Sequence, residues 1–510
     1  MSYRLLPLLL GALALLAPSS DAQLGIRSKL MVEGFQEPTT LTWAPGFPNM
    51  MVVGEKNGLV NLVRDGEILS QPLIDLSSQV TVGGLSGFQN LVFHPRYFAN
   101  GWFYVHYQNA DNNTVVERYT VPVPGSFQAD PASVVTLVGP LVEPIVIHAG
   151  GGMCFDYENR LYIAIGDRRL ELPGESCQAQ DPTTLVGKLL RLEDDGSIPA
   201  DNPFVNDPGT LDEIFAFGFR QPYRMEFDAL TGGIVIGDVG EGSREEINYI
   251  PPGTSGQNFG WQVVEGELCT PSIPCSSFMC PNPALNPPVF AYTHQQGCAV
   301  IAGPTYRGGQ IPSLFGATLL SDWCNGTIWA LGISVTGDLF QQVKLEEELA
   351  PTGGLVIDTI NTWAQDLDGE IYLADQGFGF NLNGEIYKVL PRAPFEVNRD
   401  TLSLATGGNA TFRIDAGVEH ADEVYVVLGS LSDGVTPFGA FEIPLALDAY
   451  FLSSLANPNS GPLPDSFGVL DSEGQAEASF VLPAGLPSSL FGTELHHGAG
   501  RDVDREGGVV

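Results

Sequence analysis

Positive charge is what this chain has least of. Lysine and arginine together number 23 against 60 aspartates and glutamates, a formal net charge of −37. Phosphate backbones and anionic lipid surfaces repel such a chain, so no nucleic-acid partner is expected. Histidine and cysteine are also sparse, at 7 each. No C-x-x-C pair occurs, which removes dithiol redox chemistry. Cys275 and Cys280 stand close together, but no histidine or cysteine cluster completes a structural zinc set around them. Long amphipathic windows are lacking too, because proline is spread throughout and few stretches keep a 3.6-residue apolar period. Beyond the N-terminus no apolar run reaches the ~20 residues that span a bilayer.

What is present begins with a leader. Arg4 is followed by an apolar run from Leu5 to Ala17 and then by Ser20-Asp21-Ala22, the pattern of an export signal cut near Ala22–Gln23. The expected location is secreted or periplasmic, with no transmembrane segment after cleavage. Disulfides are the default there, and an odd cysteine count leaves at least one thiol unpaired. Abundant glycine and proline between short β-branched and aromatic runs point to an all-β protein.

One pattern returns six times: a turn, a short apolar strand, then a small or acidic residue. It runs through "NMMVVGEKNG", "GWFYVHYQN", "NRLYIAIGD", "GGIVIGDVG", "ATLLSDWCNG" and "GEIYLADQG". Such repeats imply a six-bladed β-propeller over residues 23–392, with each run as the inner strand of a blade. After Pro391 the strand-like runs "EVYVVLGS", "FEIPLAL" and "ASFVLPAG" suggest a small β-sandwich-like domain over 393–495. The tail, 496–510, has no apolar periodicity and is expected to be disordered, with His496-His497 a strand end rather than a metal pair.

Chemistry concentrates in "HAGGGMCFDYENRLYIAIGD", where His148 stands directly before glycines. Glycine lets something large approach the backbone, and a histidine there would face it. A neutral imidazole suits removal of a hydroxyl proton near neutral pH. Asp167 closes the stretch, but acids of the same type close other repeats at Asp238, Asp322 and Asp375. It is therefore either a blade-turn residue or a partner of the histidine.

Further blocks follow in a set order: "GFQNLVFHPRYFANGWFYVHY", "LVGKLLRLEDDGSIPADNPF", "EIFAFGFRQPYRMEFD", "IGDVGEGSREEINYI", "NFGWQVVEG" and "AGPTYRGG". With the His148 block they make residues of about 30–392 resemble the soluble glucose/sorbosone (aldose sugar) dehydrogenases, six-bladed propellers that use pyrroloquinoline quinone (PQQ). The resemblance implies a sugar substrate, a soluble electron acceptor and bound calcium. His148 takes the place of the family's general base, Asp167 of its supporting carboxylate and Arg220 of the cation that polarises the quinone carbonyls. Gly150 and Gly151 would lie against the cofactor, with Gln221 where the family has asparagine. Glu246 and the backbone carbonyl of Phe259 would hold calcium. Other cofactor positions differ: Leu85-Ser86 replaces a glutamine, Cys324-Asn325 a lysine and "INTWAQD" an arginine pair, so Arg307, Arg168 and Arg169 are the candidate replacements. The family's disulfide-bearing relatives imply a Cys298–Cys324 bridge and a bond from Cys269 to Cys275 or Cys280. Two alternatives stand beside the dehydrogenase: a non-catalytic extracellular propeller binding carbohydrate or protein, and a calcium-dependent lactone hydrolase.

Overall fold

The structure is a computed structural model that describes residues 24–501, apart from 143–146, 169–176, 271–279 and further segments, most of them after residue 391. Residues 1–23, where the leader is expected, and residues 502–510 lie outside the described residues, as do Arg169 and Cys275. The chain divides into two compact units between Pro391 and Arg392.

The first unit holds six large antiparallel sheets and one two-stranded ribbon, Val264–Glu265 with Leu268–Cys269. Blade 1 is built on Pro38–Trp43, Met51–Glu55 and Leu59–Arg64, and blade 2 on Phe88–Phe93, Trp102–Gln108, Thr114–Thr120 and Asp130–Leu141. Blade 3 comprises Gly150–Phe155, Leu161–Ile165, Lys188–Leu192 and Ile214–Phe217; blade 4 comprises Pro222–Phe227, Ile234–Asp238, Arg244–Ile250 and Phe290–Thr293. Blade 5 runs through Val300–Thr305, Ala317–Asp322, Ile328–Ile333 and Leu339–Lys344. Blade 6 joins Ile360–Gln365, Ile371–Asp375 and Gly384–Pro391 to the N-terminal strand Ile26–Phe35, so the two ends of the unit close one sheet. The first strand of each blade packs on the first strands of its two neighbours, and the ring closes from blade 6 back to blade 1. This is a six-bladed β-propeller.

The apolar runs of the repeat are not the inner strands. Each is the second strand of its blade, one place out from the axis. A second strand is covered on both faces by neighbouring blades, so nearly all its residues are buried and two-residue alternation disappears, as in Leu161–Ile165 and Ile371–Asp375. The inner strands border the channel and carry glycine, threonine, asparagine and arginine, which makes them look less like strands. Lys188–Leu192 is the third strand of blade 3.

Cys298–Cys324 and Cys269–Cys280 are joined, and Cys177 is disulfide-bonded as well. Among the described residues the free thiol is Cys154, buried in the inner strand of blade 3.

The second unit contains two three-stranded sheets, one of Phe395–Val397, Gly408–Asp415 and Gln475–Leu482, the other of Phe467–Val469, Val424–Ser430 and His496–Arg501. Phe412, Ile414 and Phe480 of the first share a core with Tyr425 and Val427 of the second. The helix Ala449–Ala456 was not expected from the sequence. His496–Arg501, expected within a disordered tail, instead pairs with Val424–Ser430 through backbone bonds that need no apolar period.

Candidate functional site

Chain direction gives every blade two unlike ends. The residues leading into the inner strand and those ending the second strand share one end of the blade. That end has a recurring joint, in which an acidic or amide side chain closing the second strand accepts backbone N–H groups from the lead-in segment. Glu55 takes Gln36 at 3.1 Å in blade 1, and Gln108 takes Gly87 at 2.9 Å in blade 2. In blade 4 Asp238 takes Arg220 at 2.9 Å and Gln221 at 2.6 Å. In blade 5 Asp322 takes Cys298 and Ala299 at 2.8 and 3.1 Å, and in blade 6 Asp375 takes Asp358 and Thr359 at 2.7 and 3.1 Å. A carboxylate holding two or three such donors is a strong, fixed clamp.

Blade 3 uses the same position for side chains. Asp167 Oδ1 lies 2.7 Å from Nδ1 of His148, and Oδ2 accepts the indole N–H of Trp261 at 2.6 Å. All three residues are buried. An ionised carboxylate can only accept, so the Nδ1 of a neutral His148 carries the proton and Nε2 keeps its lone pair. His148 also has a left-handed backbone, φ 60°, which a non-glycine residue adopts at a cost of about 1 kcal/mol. The conformation turns the chain from the lead-in segment into the inner strand.

Arg220 stands at the same end, and its carbonyl accepts the backbone N–H of Asp167 at 2.7 Å. Its guanidinium donates to the Val239 carbonyl at 2.9 Å, pairs with Glu241 and lies 5.6 Å from the Trp261 ring centre. Its Nε is buried without a partner. His148, Asp167, Arg220 and Trp261 are thus one bonded cluster at the seam of blades 3 and 4.

Other residues named from the sequence have duties within the fold. A Cβ on Gly150 would lie 2.2 Å from the Ala164 carbonyl oxygen, and one on Gly151 3.1 Å from that of Tyr223, so backbone packing already requires both glycines. The Gln221 side chain accepts the Gly150 N–H at 2.8 Å and ties blade 4 to blade 3. Arg307 is elsewhere. It follows the inner strand of blade 5 and makes a two-pronged pair with Asp228, 2.9 and 2.5 Å, in the turn between the first two strands of blade 4. That is the opposite end of the blades, a six-residue strand or about 20 Å away. Arg307 cannot stand beside His148.

Glu246 lies in the third strand of blade 4, directly across from Asp238. Its carboxylate accepts the Gly266 N–H and the Asn248 amide, the latter at 3.3 Å. Burial pushes the Glu246 carboxyl up to about 7 and raises Asp238 well above the usual range, Glu246 adding to the latter. Phe259 is buried with its ring 5.0 Å from that of Phe219. Among the described residues no group of three histidine, cysteine or acidic side chains converges as a metal cage.

Sequence reasoning missed Trp261 and Arg224. Trp261 stood inside a block already singled out, "NFGWQVVEG". Arg224 stood inside another, "EIFAFGFRQPYRMEFD", where nothing local marked its role: its guanidinium donates to Thr362 at 3.2 Å, to the Tyr223 carbonyl at 3.0 Å and to the Thr39 carbonyl, tying blades 4, 6 and 1 across the axis.

The sequence profile of the family described as Glucose / Sorbosone dehydrogenase matches residues 35–387. The aldose sugar dehydrogenase YliI of Escherichia coli is 30% identical over 257 residues, covering 48% of this chain and 60% of that protein. Human hedgehog-interacting protein is 26% identical over 398 residues, covering 71% of this chain and 52% of its own length. The chain therefore spans little more than half of either relative. The PQQ-bound aldose sugar dehydrogenase of Streptomyces coelicolor superposes with a TM-score of 0.55 at 19% identity, over 73% of this chain and 100% of that one, a likeness of fold.

Proposed function

Because the chain belongs to the glucose/sorbosone dehydrogenase family, we propose that it is an exported oxidoreductase that oxidises an aldose sugar, with PQQ as cofactor and a soluble electron acceptor. The observation that carries this reading is the His148–Asp167 pair at 2.7 Å. At the position where five blades clamp backbone, blade 3 holds an imidazole in one tautomer.

In this reading the quinone supplies a hydride acceptor when bound. His148 Nε2 takes the proton of the sugar hydroxyl being oxidised, and Asp167 steadies the imidazolium that results. Arg220 suits a carbonyl oxygen, because its buried Nε needs an acceptor. Gly150, Gly151 and Gln221 support the cofactor only through the backbone they shape. Glu246, with the Phe259 carbonyl and the facing Asp238, forms the proposed calcium site, since a divalent cation would hold both buried acids ionised. Export rests on the leader sequence and on the disulfides.

The rival reading is a non-catalytic extracellular propeller that binds carbohydrate or protein. It is favoured by the commitment of Arg220 to Glu241 and of Arg307 to Asp228, which leaves fewer cations for a tri-acid cofactor. The hedgehog-interacting relative belongs with it. Titration of purified apoprotein with PQQ and calcium separates the two. Saturable uptake with dye reduction by aldoses is expected, and His148→Gln should lower turnover about a hundredfold while leaving uptake intact. No uptake in the presence of calcium leaves the binding propeller.

A further inference from the structure

We infer that Trp261 is a positioning residue that sets the tautomer and aim of His148 by locking Asp167, an inference that rests on the proposed role of His148 as the base. A carboxylate held at one oxygen can still turn, because its terminal torsion is broad and two-fold. Asp167 is held at both. His148 occupies Oδ1 at 2.7 Å and the Trp261 indole N–H occupies Oδ2 at 2.6 Å. Both bonds are buried and charge-assisted, the conditions under which hydrogen bonds orient most firmly.

The indole is itself aimed by its backbone. The Trp261 N–H donates to the Gly218 carbonyl at 3.1 Å, and its carbonyl accepts from Gln180 at 2.6 Å. The next side chain, Gln262, accepts the Cys177 N–H at 2.6 Å. Residues on both sides of the third and fourth strands of blade 3 thus grip a segment of blade 4 and point its indole back at blade 3. Arg220, 5.6 Å from the ring centre, adds a cation–π contact to the same side chain. If Trp261 merely filled space, its N–H would not need to meet the one carboxylate that carries the histidine.

The test is Trp261→Phe, which keeps an aromatic ring and removes the N–H. The direct readout is the ring nitrogen signals of His148 in histidine-labelled apoprotein, assigned with His148→Gln. The wild type is expected to show a protonated Nδ1 and an unprotonated Nε2. Trp261→Phe should show an average of the two tautomers, as should Asp167→Asn. In loaded enzyme, turnover should fall about tenfold or more, with the sugar KM little changed. Trp363→Phe, which removes an indole bonded to Ser321 at 2.9 Å away from this cluster, should leave the His148 signals alone. If Trp261→Phe fails to fold, placing benzothienylalanine at 261, the same bicycle with sulfur in place of N–H, makes the same measurement. Unchanged His148 signals in the folded variant overturn the inference, whatever happens to stability. Because this readout needs neither cofactor nor sugar, an inactive wild type would sink the dehydrogenase reading without deciding the role of Trp261.

Discussion

Glu226 shows how the channel interior bears on the whole molecule. It follows Arg224 by two residues on the inner strand of blade 4, and burial pushes its carboxyl from 4.5 up to about 7, with Arg224 pulling the other way. The folded state therefore binds a proton that the unfolded state has already released. That contribution to stability is complete below pH 4.5 and is lost as pH rises through about 7. Glu226→Gln keeps the shape and cannot ionise. Its urea midpoint should match that of the wild type at pH 4.5 and exceed it at about pH 8. Equal midpoints at both values would mean that the carboxyl is ionised in the fold without penalty. Asp238 and Glu246 act in the same direction, so only the difference between variant and wild type isolates this group.

At the scale of the blade, the joint between second strand and lead-in segment holds backbone in five blades and the proposed base in the sixth. Asp322 collects the N–H groups of Cys298, Ala299, Cys324 and Asn325 and the hydroxyl of Tyr292, all between 2.7 and 3.2 Å. Removing it strands several donors that water reaches poorly, and each costs on the order of 1–3 kcal/mol. Asp322→Ala should therefore lower unfolding free energy by about 3 kcal/mol or more in chemical denaturation. A loss below about 1 kcal/mol would show that the joint is dispensable. The corresponding acid in blade 3 binds two side chains instead, so its loss should register first in the state of His148. In the proposed reading the repeat spares this one copy for chemistry, because the others keep the blades joined.

The molecule as a whole depends on its closing sheet. Ile26–Phe35 pairs along Gly384–Pro391, and the N–H groups of Leu24 and Ile26 are fastened to Glu348 at 2.9 and 3.3 Å. Ile26 and Phe35 are wholly buried. A chain beginning after Phe35 would expose the edge of Gly384–Pro391 and open the ring between blades 6 and 1. It should lose its single cooperative thermal transition and aggregate at lower temperature than the full chain. A calorimetric midpoint within about 2 °C of the full chain would mean that closure contributes nothing.

The sequence by itself determined the repeat, the blade number and the chemical character of one joint. Second strands such as Leu161–Ile165 were legible because burial from both sides leaves an unbroken apolar run. His148 and Asp167 were legible because a histidine before glycines and an acid closing a strand are local patterns. Tertiary structure alone decided which neighbour does the burying, and so placed those strands second rather than innermost. It also set the end of the blade on which each residue falls. Arg307 and Arg220 read alike as arginines beside strands, yet one follows an inner strand and the other precedes one, which puts them at opposite ends. The bond from Trp261 to Asp167 joins residues 94 apart in the chain, and Arg224 reaches carbonyl and hydroxyl groups on blades 1 and 6. Periodicity reports how much of a side chain is covered, whereas the partner of a buried polar group is fixed only when distant segments meet.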